Sequence, residues 1–225
     1  MNQYEAFAKD FARTRSRPWE FLVDVRQELI HSGILKQYEI AVDLGCGNGQ
    51  NSILFRENFQ TCLGLDLSWQ LLCMAKSKYL NLIQADVGAL PFRSETFDFG
   101  YSIAVLHHII GREYRRQVVN EMKRVLKVRG HLFLTVWRRW QGRFAKHFLR
   151  EGFHNAAEYF PAGLKEFGDV NVGWDDSKTN TRYPRLYHLF TRTELRNLLT
   201  PFQVLYFTAT GHKRAKTNFV AFLQR

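Results

Sequence analysis

The sequence predicts an α/β fold in which helices cover both faces of a doubly wound, mostly parallel sheet. Apolar segments of strand length alternate with helical segments along the first 137 residues, the pattern of parallel strands joined by right-handed crossovers. A glycine-rich turn follows the first of these strands. Of the 225 residues, 45% are hydrophobic and 24% are charged, so the chain can bury a sizeable core. We therefore expect a single domain over 1–225.

The individual elements follow from the spacing of apolar residues. Strands are predicted at 40–44, 61–65, 80–84, 97–105 and 131–137, and helices at 2–14, 19–32, 50–58, 68–77, 112–128 and 193–199. The first two helices form an N-terminal segment over 1–35. Two last strands, at 204–208 and 218–223, are expected to form an antiparallel hairpin that closes the sheet edge.

The segment 138–190 breaks this alternation. It is rich in arginine at first, then acidic, then rich in glycine, asparagine and aspartate. Long connections inside a compact domain are usually functional loops. We therefore expect a substrate-facing insertion at 138–190.

Composition excludes several classes of protein. No run approaches the roughly 18 consecutive apolar residues of a membrane helix, and the first 15 residues mix acids and bases without an apolar targeting segment. Cysteines at 46, 62 and 73 lack CxxC spacing, which argues against a disulfide framework and against a zinc site in this chain. We expect a soluble, cytoplasmic protein that holds no metal of its own.

The net charge of +11 is unevenly distributed. Residues 1–110 hold 10 basic and 12 acidic side chains, whereas 111–150 hold 12 and 2, and 178–225 hold 9 and 1. Two basic blocks that fold together would make a positive face suited to nucleic acid. Two separate solvated surfaces are the alternative.

Chemistry is first indicated by the sequence DLGCGNGQ at 43–50. Glycines in such a turn let a ligand approach the backbone. A dinucleotide-binding GxGxxG fingerprint would need its third glycine at position 50, where Gln50 stands. The observed GxGxG, two residues after Asp43, resembles the first motif of the class I S-adenosylmethionine-dependent methyltransferases.

This resemblance implies a Rossmann-like fold with S-adenosyl-L-methionine as the cofactor. Asp43 and the glycine loop would contact its amino-acid end, Asp66 its ribose hydroxyls and Asp86 its adenine amine. Each aspartate alone could be a helix cap or a turn residue, but carboxylates on three successive strand ends together favour the cofactor. The cofactor-binding residues are predicted to be Asp43, Gly45, Cys46, Gly47, Asp66, Leu67, Asp86, Val87 and Ser102.

Three further segments narrow the family. The pattern YxxxAxxFxxTRxxPW spans 4–19, SIAVLHH spans 102–108, and YPRLYHLF spans 183–190. Together they resemble eukaryotic tRNA methyltransferases that esterify 5-carboxymethyluridine at the wobble position. The chain departs from that pattern at 109–111, in its short insertion and at Asn218-Phe219; these departures concern the substrate rather than the fold.

The resemblance also implies roles for substrate-facing residues. A carboxylate with a pKa of about 4 is ionised at neutral pH, so methyl transfer to it needs positioning and no general base. His107, Arg15 and Arg185 are the catalytic candidates, and Tyr187 and His188 support them. Arg15 could instead hold the cofactor carboxylate, and Arg185 could form a structural ion pair. Trp19 could stack a flipped base or pack in the core. The residues expected to grip the tRNA backbone are Arg138, Arg139, Arg143, Lys146, Lys213 and Arg214.

A partner is implied as well. Such enzymes act as heterodimers with a small zinc-binding activator protein, which adds a strand to the sheet edge. The apolar segment Tyr79–Ile83 is the candidate edge strand.

Two other functions fit parts of the sequence. One is a different methyltransferase, acting on RNA guanine N7 or on a quinone-type small molecule, for which the basic C-terminal half has no obvious use. The other is an inactive RNA-binding scaffold, against which the intact Asp43, Asp66 and Asp86 argue.

Overall fold

The computed structural model describes residues 4–15, 17–79, 81–142, 144, 148, 166–176, 181–211 and 216–225. Within these residues, seven strands form the central sheet. In chain order they are β1 (Tyr38–Leu44), β2 (Phe59–Asp66), β3 (Asn81–Gln84), β4 (Phe97–Ile103), β5 (Leu126–Trp137), β10 (Gln203–Thr210) and β11 (Asn218–Gln224).

The strand order across the sheet is β10-β11-β5-β4-β1-β2-β3. The pairs β1–β2, β1–β4, β2–β3 and β4–β5 are parallel, and β11 is antiparallel to both β5 and β10. This confirms the predicted doubly wound sheet with a C-terminal antiparallel hairpin. The chain reverses its direction of winding between β1 and β4, the position where open α/β sheets bind ligands.

Five helices lie among the described residues: α1 (Ala8–Thr14), α2 (Glu20–His31), α3 (Trp69–Ala75), α4 (Arg112–Val125) and α5 (Arg192–Leu198). The helix predicted at 50–58 is wrong, because two short 3-10 turns, Ser52–Leu54 and Arg56–Asn58, occupy that segment. The glycine loop uses the first residues after β1, and asparagine and serine are weak helix formers. Residues 51–58, which remain before β2, therefore hold these two turns instead of one α-helix.

The two faces of the sheet bury different side chains, because successive strand residues point to opposite faces. Val42 and Leu132 pack under α4 and α5, while Ala41, Phe99 and Phe133 pack under α2. Both layers hold the strands in register and place their carboxyl ends at one edge. No described helix has the length and apolar character needed to cross a membrane.

The predicted insertion holds two small antiparallel sheets among its described residues. β6 (Asp169–Asn171) pairs with β9 (Leu186–His188), and β7 (Trp174–Asp175) pairs with β8 (Arg182–Tyr183). Val170 and Tyr187 pack in a separate apolar cluster with the segment that follows β5. The described part of the insertion therefore forms a small substructure with its own apolar cluster, above the carboxyl ends of the strands.

Candidate active site

A cavity of about 1110 Å³ opens at the carboxyl-terminal edge of the parallel strands. Its lining falls into two groups that come from different parts of the fold. The first group, here called the cofactor half, follows β1, β2 and β3 and contains Gly45, Cys46, Gly47, Asp66, Leu67, Ala85, Asp86 and Val87. The second group, here called the substrate half, comes from the N-terminal segment, the ends of β4 and β5, and the insertion; it contains Tyr4, Arg15, Trp19, His107, His108, Trp137, Trp174, Arg185 and Tyr187.

The glycine loop of the cofactor half uses backbone conformations that other residues rarely adopt. Gly45, Gly47 and Gly49 have φ values of 86°, 54° and 71°. A Cβ atom at Gly45 would lie 2.3 Å from a methyl carbon of Val105. Because glycine lacks that atom, the loop can turn tightly against the end of β4 and offer its backbone to a ligand.

Asp66 ends β2 and orients the glycine loop. One carboxylate oxygen accepts a hydrogen bond from the N–H of Gly47 at 2.8 Å, and the other accepts one from the N–H of Ser68 at 2.8 Å. Burial raises the pKa of Asp66, and the backbone donors oppose that rise. Since Asp66 also lines the cavity, it can accept hydrogen bonds from a pair of hydroxyl groups.

Asp86 lies just beyond the end of β3. Its Oδ1 accepts hydrogen bonds from the N–H of Gly88 at 2.8 Å and from the hydroxyl of Tyr114 at 2.5 Å. These donors fix the carboxyl group at the cavity wall, beside Val87. A carboxylate held in this position suits an exocyclic amine.

The cofactor half fits S-adenosyl-L-methionine on this geometry. The glycine loop leaves space that a Cβ would fill, and Asp66 and Asp86 stand on successive strand ends at the same cavity. The loop suits the amino-acid end, Asp66 the ribose and Asp86 the adenine. The predicted residues Gly45, Cys46, Gly47, Leu67 and Val87 also line the cavity.

Two predicted cofactor residues lie elsewhere. Asp43 is 4% exposed and sits behind the glycine loop, where it accepts a hydrogen bond from Ser52 at 2.5 Å and another from the Tyr79 hydroxyl. Burial raises the pKa of Asp43 to about 7. Ser102 is fully buried in β4. Neither residue lines the cavity. In place of the expected direct contact, Asp43 binds Ser52 and Tyr79, and Ser102 packs inside the sheet.

In the substrate half, aromatic rings from distant parts of the chain meet across the cavity. Tyr187 stacks on Trp137 with ring centroids 5.0 Å apart, and its hydroxyl lies 3.1 Å from that of Tyr4. The indole N–H of Trp174 donates to Asp10 at 3.1 Å. These contacts join the N-terminal segment to the insertion.

Two arginines lie on the ring of Trp174. The guanidinium carbon of Arg185 is 4.9 Å from the ring centroid, and that of Arg15 is 5.6 Å from it. Arg185 is 6% exposed, and its Nε donates to the carbonyl of Val172 at 3.3 Å. No carboxylate among the described residues pairs with Arg185, so the predicted alternative of a structural ion pair is not seen in that part of the chain.

His107 and His108 occupy a 3-10 turn directly after β4. Burial lowers the pKa of His107 well below its ordinary value, and burial together with the charge of Arg185 lowers that of His108 to about 3. The backbone N–H of Trp137 donates to Nδ1 of His107 at 3.3 Å. His107 is therefore neutral at pH 7 and carries its proton on Nε2.

The role predicted for His188 is wrong. His188 is fully buried below the cavity wall, with Nδ1 2.6 Å from Asp169 and Nε2 2.6 Å from Glu194. Burial lowers its pKa, but the two carboxylates outweigh that effect and raise the pKa overall. His188 thus joins β9 to β6 and to α5, and it supports the neighbouring Tyr187 instead of touching substrate.

The RNA-binding role predicted for Arg139 is also wrong. It is 6% exposed and forms an ion pair with Glu194 at 2.7 Å, so it does not belong to an RNA-gripping surface. Arg138 is half-buried, and its Nη1 donates to the carbonyl of Lys216 at 2.6 Å. The predictions for Arg143, Lys146, Lys213 and Arg214 lie outside the described residues.

One side-chain cluster has the composition of a metal site. Glu166, His188 and Glu194 bring one ligand atom each within 4.8 Å of one another. However, Glu166 pairs with Arg115 at 2.6 Å, and Glu194 pairs with Arg139. Arginine cations therefore already neutralise both carboxylates.

Sequence reasoning missed two residues that line the cavity, Trp174 of the substrate half and its partner Asp10. Trp174 lies in a segment without strand or helix periodicity, so no local signal marked it. Asp10 is 5% exposed and binds both Trp174 and Arg13. An aspartate inside an N-terminal helix gives no sign that it is buried, since its partner lies 164 residues away.

Together, the sheet and the cofactor half define a class I S-adenosylmethionine-dependent methyltransferase. Residues 42–134 match the family model described as a methyltransferase domain. Among solved structures, a SAM-dependent methyltransferase from Methanosarcina mazei has a TM-score of 0.68 at 24% identity, over 88% of this chain and 96% of the other. The N-methyltransferase NodS from Bradyrhizobium japonicum, solved with S-adenosyl-L-homocysteine, has a TM-score of 0.66 at 14% identity, over 100% of this chain and 99% of the other.

Sequence relatives define the family more closely. A tRNA (carboxymethyluridine(34)-5-O)-methyltransferase from Schizosaccharomyces pombe is 31% identical over 202 residues, which cover 87% of this chain and 84% of the relative. The Arabidopsis thaliana enzyme of that name is 33% identical over 134 residues, covering 60% of this chain and 31% of the relative. This chain belongs to the family of tRNA (carboxymethyluridine(34)-5-O)-methyltransferases, and its cofactor is S-adenosyl-L-methionine. It spans about a third of the Arabidopsis relative and most of the fission-yeast one.

Proposed function

We propose that this chain methylates the carboxylate of 5-carboxymethyluridine at the wobble position of tRNA. The relatives of that name support the proposal. The observation that carries it is the environment of Arg185, a buried cation that lines the cavity and pairs with no carboxylate among the described residues.

A buried charge without a partner is unfavourable, because little water remains to solvate it. The rings of Trp174 and Tyr187, 4.9 and 5.2 Å from the Arg185 guanidinium carbon, offset part of that cost through their π faces. An anionic group in the cavity would provide the missing counter-charge. A substrate carboxylate therefore fits this position better than a neutral ring nitrogen does.

His107 complements Arg185 in this proposal. Because Nδ1 of His107 accepts the Trp137 N–H, Nε2–H is left as a donor. A neutral donor can orient a carboxylate while leaving its charge available for reaction. Arg185 and His107 thus hold the substrate anion with one cation and one neutral hydrogen bond.

The chemistry places few demands on the protein. When bound, S-adenosyl-L-methionine would supply the methyl group: the substrate carboxylate oxygen would gain the O–CH₃ bond as the S–CH₃ bond breaks, with that electron pair left on sulfur. No proton moves, so no general base is needed. The contribution of the chain is alignment, an effect that can supply several kcal/mol.

Arg15 and Trp19 complete the proposed substrate half. Arg15 is half-buried, and its backbone carbonyl accepts a hydrogen bond from Asn48 at 2.8 Å. Its guanidinium points to Trp174, the ring that also carries Arg185, which favours a substrate role over a cofactor role. Trp19 stacks on Phe21 with centroids 5.7 Å apart and also lines the cavity, where it could contact a base.

The proposal includes a small zinc-binding activator protein that adds a strand to the sheet. β3 lies at the edge of the central sheet and pairs with β2. Within the predicted segment, Leu82 and Ile83 are partly exposed, Tyr79 is buried, and Leu80 lies outside the described residues. An open edge strand of this type accepts a partner strand readily. The heterodimer and the cytoplasmic location stay predictions.

Mass spectrometry of tRNA nucleosides tests the reaction. The protein is incubated with tRNA that carries 5-carboxymethyluridine and with isotope-labelled S-adenosyl-L-methionine, with and without the activator. We expect label in the methyl ester of that nucleoside, and more of it with the activator. Label confined to guanine, or no transfer to tRNA in either condition, would contradict the proposal.

A further inference from the structure

A second surface of the molecule gathers arginines on aromatic rings. Phe207 of β10 and Phe219 of β11 face each other across the C-terminal hairpin, with ring centroids 5.4 Å apart. The guanidinium carbon of Arg192 lies 5.1 Å from the Phe207 centroid, that of Arg196 lies 5.2 Å from it, and that of Arg138 lies 5.1 Å from the Phe219 centroid. Three arginines thus lie over the same pair of rings, Phe207 and Phe219, here called the Phe207–Phe219 floor. Two of them come from successive turns of α5, and the third follows β5.

These three charges are not neutralised by carboxylates of the described residues. Glu194 is the one acidic residue in 178–225, and its two oxygens already bind Arg139 and His188. Elsewhere the chain does pair its arginines: Arg115 and Arg124 each contact a glutamate at 2.6 Å. Arg192 and Arg196 therefore keep their hydrogen-bond donors for an external anion, whereas Arg138 adds its charge but already donates from Nη1 to the carbonyl of Lys216.

Geometry favours phosphate groups as that anion. A guanidinium held over an aromatic ring stays charged, and its N–H fork matches the oxygens of a phosphate. Several such groups at neighbouring positions suit a chain of phosphates better than a single small anion. Arg192 and Arg196 are exposed, so a large ligand can reach them.

The position of the surface connects it to the cavity. Arg138 directly follows Trp137, whose ring lies in the substrate half. The neighbouring bridge between Arg138 and Phe190 leads to the start of α5, where Arg192 lies. An RNA that places one nucleotide in the cavity would carry its adjoining backbone across this end of the sheet.

We infer that Arg138, Arg192 and Arg196, on the Phe207–Phe219 floor, bind the phosphate backbone of the RNA substrate. The inference rests on the proposed function, because it takes the substrate to be tRNA. Compared with the residues that the sequence predicted to bind the tRNA backbone, this surface includes Arg192 and Arg196, which the charge pattern alone did not single out. It does not include Arg139, which is buried.

Binding of an unmodified anticodon stem-loop RNA at several salt concentrations tests the inference. In the double variant Arg192→Gln/Arg196→Gln we expect affinity to fall about tenfold, and the slope of log affinity against log salt to decrease by about one to two units. Lysine at both positions retains the charge and should retain the slope. The matched control Arg56→Gln/Arg93→Gln removes two exposed arginines that precede β2 and β4. They lie toward the amino-terminal ends of the parallel strands, opposite the cavity, so this variant should bind RNA like the wild type.

Two results would overturn the inference. Unchanged RNA affinity and slope in the Arg192→Gln/Arg196→Gln protein would assign the surface to another anionic partner, such as an acidic protein segment. An equal loss in the control variant would show that net charge alone matters. Calorimetric binding of S-adenosyl-L-homocysteine verifies that each variant is folded. Because this RNA carries no carboxymethyluridine and no methyl donor is present, failure of the proposed reaction would not affect the result.

Discussion

The two halves of the cavity are built on different principles. In the cofactor half, Asp66 and Asp86 each receive a backbone N–H from a residue two positions later in the chain. In the substrate half, contacts span most of the chain: Tyr4 reaches Tyr187, and Trp174 reaches Asp10. Backbone contacts of short range form wherever the loop folds, whereas long-range side-chain contacts form only once both segments have docked. The cofactor half should therefore be the more independent of the two.

Asp66→Ala gives the largest expected effect and tests the cofactor half. The change removes the proposed acceptor for the ribose hydroxyls and the observed acceptor for the N–H of Gly47. Charge-assisted hydrogen bonds contribute about 1.5–3 kcal/mol each, so affinity for S-adenosyl-L-homocysteine should fall about 100-fold in calorimetry. Asp24→Ala, at an exposed position of α2, is the control. A loss below threefold would show that the glycine loop holds its shape and its ligand without this carboxylate.

Arg185→Met tests whether the substrate half acts separately. The anion loses its charge as the ester forms, so Arg185 stabilises the bound substrate more than the transition state. We expect KM for carboxymethyluridine RNA to rise about 30-fold, within the 1.5–3 kcal/mol of a charge-assisted hydrogen bond. Because the change destabilises the bound substrate more than the transition state, kcat should not fall and should rise modestly, whereas affinity for S-adenosyl-L-homocysteine should stay as in the wild type.

The matched control for that change is Arg182→Met. Arg182 lies in the same insertion, but its side chain is 73% exposed and its partner Asp175 is 72% exposed. A fall in kcat with unchanged KM for the Arg185 variant would mean that Arg185 acts on the transition state, contrary to the proposed role. Partial recovery by Arg185→Lys would indicate that charge matters more than the guanidinium shape.

The smallest expected effect is a pH dependence confined to the substrate half. The folded pKa of His108 lies at about 3, below the ordinary value, so the unfolded chain binds a proton at this residue that the folded chain excludes. This contribution to stability is present above pH 6.5 and is lost as the pH falls toward 3. Since His108 is only partly buried, we expect a difference of about 1 kcal/mol between pH 6.5 and 5.

Urea unfolding of His108→Gln at both pH values measures this contribution. The variant should lose less stability on acidification than the wild type, whereas His31→Gln, on the exposed end of α2, should behave like the wild type. Equal acid sensitivity in all three proteins would remove His108 as the cause. His188 has the opposite sign: its pKa is raised overall, so its contribution is complete below pH 6.5 and declines as the pH rises through the folded value.

The contrast between the two halves of the cavity also explains which site residues could be predicted from the sequence. The positions of Asp66 and Asp86 at the cavity could be predicted because strand ends and glycine turns are local patterns. Arg185 and His107 came from a family resemblance, and their placement at the cavity agrees with it. His188 and Arg139 were misassigned because both find buried acidic partners on other elements, Asp169 and Glu194. Composition shows that a basic residue is present, but burial depends on the packing of distant segments.

The position of the insertion between β5 and β11 has a consequence for how this fold can diversify. β5 and β11 are neighbours in the sheet, paired from Trp137 with Asn218 to His131 with Gln224, yet 80 residues separate those two ends in the sequence. Doubling the length of a flexible connection costs only about 0.6 kcal/mol of closure entropy. Of this segment, α5 and β10 belong to the main fold, whereas the described strands of the insertion at 138–190 form separate small sheets. The insertion can therefore change in length with little strain on the central sheet, so new substrate specificities can evolve while the methyl-donor site is inherited unchanged.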